Sequence, residues 1–259
     1  MSCGARKMIK FSHKYLENDY LLREEIINNP KASLFAKLID STLLKQNATE
    51  QQIENLCLEA IKCHFRAVCI PPFYVEKAFS KLQNTDVRLA TVVGFPLGYN
   101  TLETKVSEVV NLVSLHVDEI DFVQNVSLVK NNNFKQLEKE FKSIVEASKG
   151  SLVKVILETA LLTDEEIYKC AMLAALSGIH VIKTSTGFAS RGASINDIEI
   201  IKKALTQYQN ETGIFVGIKA SGGIRNYHDA LSLVKSGATR LGTSGGFEIV
   251  NEKVNHTSY

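Results

Sequence analysis

The chain has 259 residues, 45% of them hydrophobic and 22% charged, an ordinary composition for a soluble globular protein and a length that one α/β barrel can use. A net charge of +2 lacks the basic excess of a bulk nucleic-acid footprint, and no segment approaches the ~18 uninterrupted apolar residues of a membrane span. Five cysteines with no CxxC pair argue against a disulfide framework, and the opening MSCGARKMIKFSHKYLENDY has no apolar h-region, so the expected compartment is the cytoplasm.

In chain order, Tyr15, Leu16, Tyr20 and Leu21 first suggest a helix packed on the exterior or base of the fold. Eight apolar, β-branched runs then read as strands: FAKLIDSTLL from Phe35, RAVCI from Arg66, RLATVVGF from Arg88, EIDFVQNV from Glu119, LVKVILET from Leu152, HVIKTSTG from His180, FVGIKASGG from Phe215 and TRLGTSGG from Thr239. The intervals between them are helical. Thr49/Gln52 and Thr163/Glu166 have capping-box spacing, as do Ser194 and Asp197. Gly150, Gly178, Gly213 and Gly237 mark helix ends, and Phe134, Leu137, Phe141, Ile144 and Val145 share one helical face. Strands recurring every ~22–35 residues with helices between them imply βαβ units and a parallel sheet. Eight such units predict a (β/α)8 TIM barrel with an extra N-terminal helix; an open doubly wound sheet would want a GxGxxG turn after its first strand, which is missing. The expected organisation is an N-terminal extension over residues 1–34, the barrel over 35–250 and a C-terminal tail over 251–259.

The chemistry-bearing residues sit late in these strands, where a barrel builds its active site. Lys183 in HVIKTSTGF and Lys219 in FVGIKASGG occupy matching places on consecutive strands. Strand side chains alternate between faces, so if both lysines face inward they enter one small space. Two confined cations repel and lose water, both effects favouring a neutral amine, and a neutral lysine can form a Schiff base. The alternative is that each lysine points outward with its head in solvent. Asp121 lies in an apolar run on the fourth strand, placed to orient a lysine or relay protons; Lys154 and Glu158 share a strand face and are candidate partners for it or for each other. Asp40 sits near the end of the first strand and is a candidate polar wall residue. Gly187, Gly222, Gly223, Gly245 and Gly246, with Ser221 and Ser244 beside them, end the last three strands and favour a phosphate site, ordinary tight turns being the alternative. The six histidines are scattered and no HExxH occurs, so neither a metal nor a cofactor is expected.

The stretches TVVGFPLGYNTLETKV, EIDFV, VKVILETALLTDEEI, VIKTSTGF and GIKASGGIRNYHDAL resemble the deoxyribose-phosphate aldolase family, in order, over about Leu38 to Gly246. The resemblance implies a metal-independent class I aldolase that reversibly cleaves 2-deoxy-D-ribose 5-phosphate to D-glyceraldehyde 3-phosphate and acetaldehyde, a carbon–carbon lyase of deoxyribonucleotide catabolism. It implies Lys183 as Schiff-base nucleophile, Lys219 as the lysine that keeps it neutral, and Asp121 as the acid. It places substrate and phosphate contacts on Asp40, Thr42, Thr186, Gly187, Gly222, Gly223, Ser244 and Gly245, and a proton relay on the terminal Tyr259. It implies small phosphorylated sugar and aldehyde substrates, no nucleic-acid or membrane partner, and a homodimer or larger homo-oligomer. Three positions depart from the family pattern: Ser41, Pro71 before Pro72 beside Cys69, and Gly245 where serine is common. The competing readings are another lysine-dependent sugar-phosphate aldolase or transaldolase, and a barrel that binds a sugar phosphate without turnover.

Overall fold

A computed structural model describes residues 11–252. Eight parallel strands close on themselves: β1 (Ile39–Thr42), β2 (Ala67–Ile70), β3 (Arg88–Val93), β4 (Glu119–Val123), β5 (Leu152–Ile156), β6 (Val181–Lys183), β7 (Gly217–Ser221) and β8 (Arg240–Thr243), with β8 pairing back onto β1. Before β1 runs α1 (His13–Asn28). Around the barrel lie α2 (Glu50–Lys62), α3 (Val75–Lys81), α4 (Leu102–Ser114), α5 (Val126–Lys130), α6 (Phe134–Ala147), α7 (Asp164–Leu176), α8 (Ile195–Thr212), α9 (Tyr227–Ser236) and the short α10 (Gly246–Val250). Every strand residue is buried, because helices cover the outer face and side chains fill the inner one.

Local chemistry places these elements where the sequence puts its signals. Thr49 with Gln52, Thr163 with Glu166 and Ser194 with Asp197 form reciprocal capping boxes that satisfy the first amides of α2, α7 and α8. Gly213 ends α8 at φ 74°, a left-handed turn that glycine enters without steric penalty. On α6, Leu137, Phe141 and Ile144 are fully buried. The first strand starts later than the apolar run suggested. Ala32–Leu38 is a 3₁₀ helix, and its three-residue turn puts Phe35 and Leu38 on one fully buried face before the chain extends at Ile39.

Helix α1 closes the floor of the barrel. Tyr15 and Leu16 are buried, whereas Tyr20 and Leu21, grouped with them by hydrophobicity, are 42% and 64% exposed. The face that turns inward runs Tyr15, Leu16, Asp19, Arg23 and Ile26, so two of its five residues are charged. The Tyr15 hydroxyl donates to Glu119 at 2.8 Å, and the Arg66 and Arg88 guanidinium groups sit 3.5 and 3.6 Å from its ring centre. No helix among the described residues is long and apolar enough to cross a membrane.

Candidate active site

The strand register brings the two lysines together. Lys183 ends β6 and its direct ladder partner on β7 is Lys219. Partners in a parallel ladder project to the same face, so both side chains enter the barrel. Each ammonium donates to the same oxygen, Asp121 Oδ2, at 2.9 Å, which puts the two nitrogens within twice that distance of each other. A third cation completes the group: Lys154 on β5, the ladder partner of Asp121, donates to Asp121 Oδ1 at 2.6 Å. Three ammonium groups thus converge on one buried carboxylate.

They differ in what else compensates them. Lys154 also meets Glu119 at 2.6 Å and Asp40 at 3.7 Å, and Lys219 meets Asp40 at 2.5 Å. Among the described residues Lys183 makes an ion pair with Asp121 alone, with the Glu158 carboxylate farther off, and it stands nearest the mouth at the end of its strand. Burial pushes the Asp121 carboxyl up, but Lys154, Lys183 and Lys219 outweigh it and hold that group well below the usual carboxylate range. Burial likewise raises Asp40, and Arg240, Lys219 and Lys154 bring it down. Burial lowers the Lys219 amine, yet Asp121 and Asp40 carry it above its ordinary value, so Lys219 stays charged across the working pH range. Cys69 lies 4.0 Å from Asp121, its thiol pushed up by burial and by that carboxylate.

Asp40, Asp121, Lys183 and Lys219 therefore form one cluster. Lys154 joins Asp121 and Glu119 rather than Glu158, because Glu158 lies beyond the end of β5 and turns to the next loop. There it accepts from the amide of Thr186 at 3.3 Å and from the Thr186 hydroxyl. That hydroxyl also accepts from the Phe188 amide at 3.0 Å, so it is engaged within its own loop. Thr42 is buried and its hydroxyl donates to the Asp40 carbonyl at 2.8 Å. Glu119 and Arg240 belong to the same ionic column and went unremarked in the sequence as charges. The signal for Glu119 is its two-residue offset from Asp121, which places both acids on one face of β4.

The glycines line the mouth on the β6–β8 side. The amides of Gly187, Gly222, Gly223, Ser244 and Gly246 donate to no acceptor among the described residues. The Gly245 amide differs: it donates to Thr243 Oγ1 at 2.8 Å. A cavity of about 380 Å³ is lined by Gly192, Ala193, Gly222, Gly223 and Ile224 among others, and one of about 520 Å³ by Lys45, Gln46, Asn47, Gly187 and Phe188. A cavity of about 630 Å³ between α4 and α6 contains none of the clustered lysines.

Gly222 and Gly223 both have positive φ, 84° and 77°, but they carry different constraints. A Cβ on Gly222 would stand 2.9 Å from the Gly192 Cα, while one on Gly223 meets nothing within 4 Å. Gly223→Ala is expected to lose about 1–2 kcal/mol to the left-handed backbone alone, and Gly222→Ala to lose more as the loop at Gly192 is displaced. Urea unfolding of the two variants checks the order; equal losses would contradict it. The terminal Tyr259 falls outside the described residues.

The sequence profile of the DeoC/LacD family aldolases matches residues 34–249. The chain is 44% identical over 235 residues to a deoxyribose-phosphate aldolase of Caldanaerobacter subterraneus subsp. tengcongensis, covering 90% of this chain and 96% of that one. It is 45% identical over 220 residues to a deoxyribose-phosphate aldolase of Thermoanaerobacter sp. (strain X514), covering 84% of this chain and 96% of that one. Its fold superposes with a TM-score of 0.79 on the deoxyribose phosphate aldolase of Aeropyrum pernix, a structure described as tetrameric, at 31% identity over 89% of this chain and 95% of that one.

Proposed function

The chain belongs to the DeoC/LacD aldolase family, and we propose that it cleaves 2-deoxy-D-ribose 5-phosphate reversibly to D-glyceraldehyde 3-phosphate and acetaldehyde, with Lys183 as the Schiff-base lysine. The observation that carries this assignment is the single carboxylate oxygen shared by Lys183 and Lys219. Taking Lys183 into an imine gives up one ion pair, whereas taking Lys219 would give up two and Lys154 three.

In this reading the neutral Lys183 Nζ adds to the aldehyde carbon of the open-chain sugar, giving a carbinolamine. Asp121, in contact with both lysines, and Lys219 on the same carboxylate oxygen move the protons that let water leave and the protonated imine form. A base then takes the proton of the C3 hydroxyl, the C2–C3 bond breaks, and its electrons pass into the enamine on Lys183. Glyceraldehyde 3-phosphate departs. Protonation of the enamine carbon and hydrolysis of the imine release acetaldehyde and return the amine. Gly187, Gly222, Gly223 and Ser244 present backbone amides suited to the phosphate, Thr186 shapes that loop from within, and Asp40 and Thr42 form the wall opposite. The Gly245 amide reaches phosphate only by giving up Thr243.

We read residues 35–250 as the catalytic barrel, 1–34 as an extension and 251–259 as a tail, in a cytoplasmic homo-oligomer. The decisive experiment is reductive trapping. Protein mixed with 2-deoxyribose 5-phosphate and borohydride should carry a two-carbon or sugar-phosphate adduct on Lys183, located by peptide mass. An adduct on Lys219 would reverse the lysine roles, and turnover without any adduct would overturn the imine mechanism.

A further inference from the structure

Behind Lys219 the ion pairs continue down to the floor of the barrel. Asp40 is the link: one oxygen accepts from Lys219 at 2.5 Å and the other from Arg240 at 2.6 Å. Arg240 opens β8, is 1% exposed, and is the ladder partner of Lys219. The Nη1 that donates to Asp40 also reaches Glu119 at 3.3 and 3.5 Å, and Nη2 faces the floor, donating to Glu119 at 3.4 Å, to the Tyr15 hydroxyl at 3.0 Å and to Asp19 at 3.3 Å. Arg66 holds Asp19 from the other side at 2.6 Å, and Arg88 approaches Glu119 at 4.0 Å. Helix α1, outside the strands that bear the lysines, thus supplies a hydroxyl and a carboxylate to a cation whose far side grips an acid of the cluster.

A guanidinium carries its donors in a rigid plane, so partners on one edge are fixed relative to those on the other. We propose that Arg240 is a positioning residue for the aldol chemistry: it holds Asp40 against Lys219, and Tyr15 and Asp19 of α1 hold Arg240. The inference rests on the reading of Lys219 as the charged neighbour of the nucleophile. Arg240 touches no reacting atom. It acts through Asp40, which together with Asp121 keeps the Lys219 proton in place against the pull of burial. If Asp40 loses its anchor and turns, Lys219 keeps less of the charge that holds its proton.

Two variants test this. Arg240→Lys keeps a cation and removes the plane; Tyr15→Phe keeps the shape and removes one acceptor. Arg240→Lys should lower kcat by roughly tenfold to a hundredfold, as small misplacements of catalytic groups do, with KM within about twofold. Its alkaline limb should fall at lower pH, because Lys219 releases its proton earlier. Tyr15→Phe should move kcat and the alkaline limb the same way by less, and serves alone if Arg240→Lys does not fold. Folded variants with the wild-type pH profile and kcat, altered only in thermal midpoint, would reduce Arg240 to a structural ion pair and overturn the proposal. Lys219→Leu measured beside them separates the two levels. If it too leaves the profile unchanged, the reading of Lys219 fails; if it alone shifts the profile, only the role of Arg240 fails.

Discussion

Lys183→Arg should abolish aldol turnover, lowering kcat by about 10⁴-fold or more, as removal of a covalent nucleophile does elsewhere, while the barrel stays folded. Arginine retains the positive charge and can keep the contact with Asp121 that Lys183 makes at 2.9 Å. Its guanidinium does not deprotonate in proteins, so it presents no free amine to an aldehyde. The position is 2% exposed and ends its strand at the mouth, so the melt of the variant also reports whether the larger head is accommodated. Charge, ion pair and fold are therefore conserved while one chemical capacity is removed. The measurements are the cleavage rate of 2-deoxyribose 5-phosphate, borohydride trapping, and a thermal melt. The variant should trap no adduct and melt within a few degrees of the parent. A rate within tenfold of wild type would remove Lys183 from the mechanism.

Both lysines were legible in the sequence because period-two alternation on two adjacent strands gives a face before it gives a structure. Lys183 and Ser185, like Lys219 and Ser221, share a side, and closing the barrel turns that side inward. Register is what the sequence does not carry. Nothing in LVKVILET or EIDFVQN says that Lys154 lies directly across from Asp121, so the third ammonium of the cluster was only one of several possible partners. Arg240 illustrates a different limit. Nothing in TRLGTSGG shows that Arg240 meets Asp40 and Glu119 inside the barrel and Tyr15 and Asp19 of α1 beneath it. The inward face of α1 includes Asp19 and Arg23, so a hydrophobic pattern mistook Leu21 for a packing residue, while Tyr20 is half-exposed with its ring against Phe215. Burial alone would also have misled. Lys105 is as buried as Lys219, yet it sits on α4 and ties the Val123 carbonyl to Glu140 of α6. What separates the two lysines is convergence on a shared acid at the mouth of the barrel.

Lys219→Leu tests whether that convergence is electrostatic in effect. In the intact cluster Lys219 is held charged by Asp121 and Asp40 against the pull of burial. A fixed positive charge within hydrogen-bond reach of the same carboxylate oxygen disfavours a second charge on Lys183. Leucine removes that charge, and Asp121 then shares its negative charge with one fewer cation. Both changes act against a neutral nucleophile at the mouth. The protonated amine cannot attack, so the acid limb of kcat/KM should move to higher pH, and the rate near neutrality should fall by roughly 10²- to 10⁴-fold, the range for losing a general acid–base partner. Raising the pH should recover part of the loss, since it restores the neutral amine but not the proton carrier. A purely steric role predicts a lower rate at every pH with the limb unmoved, and that result would refute the electrostatic one. Lys219→Arg makes the complementary case. It restores the charge without a proton to give, so it should return the limb toward its wild-type position while kcat stays low.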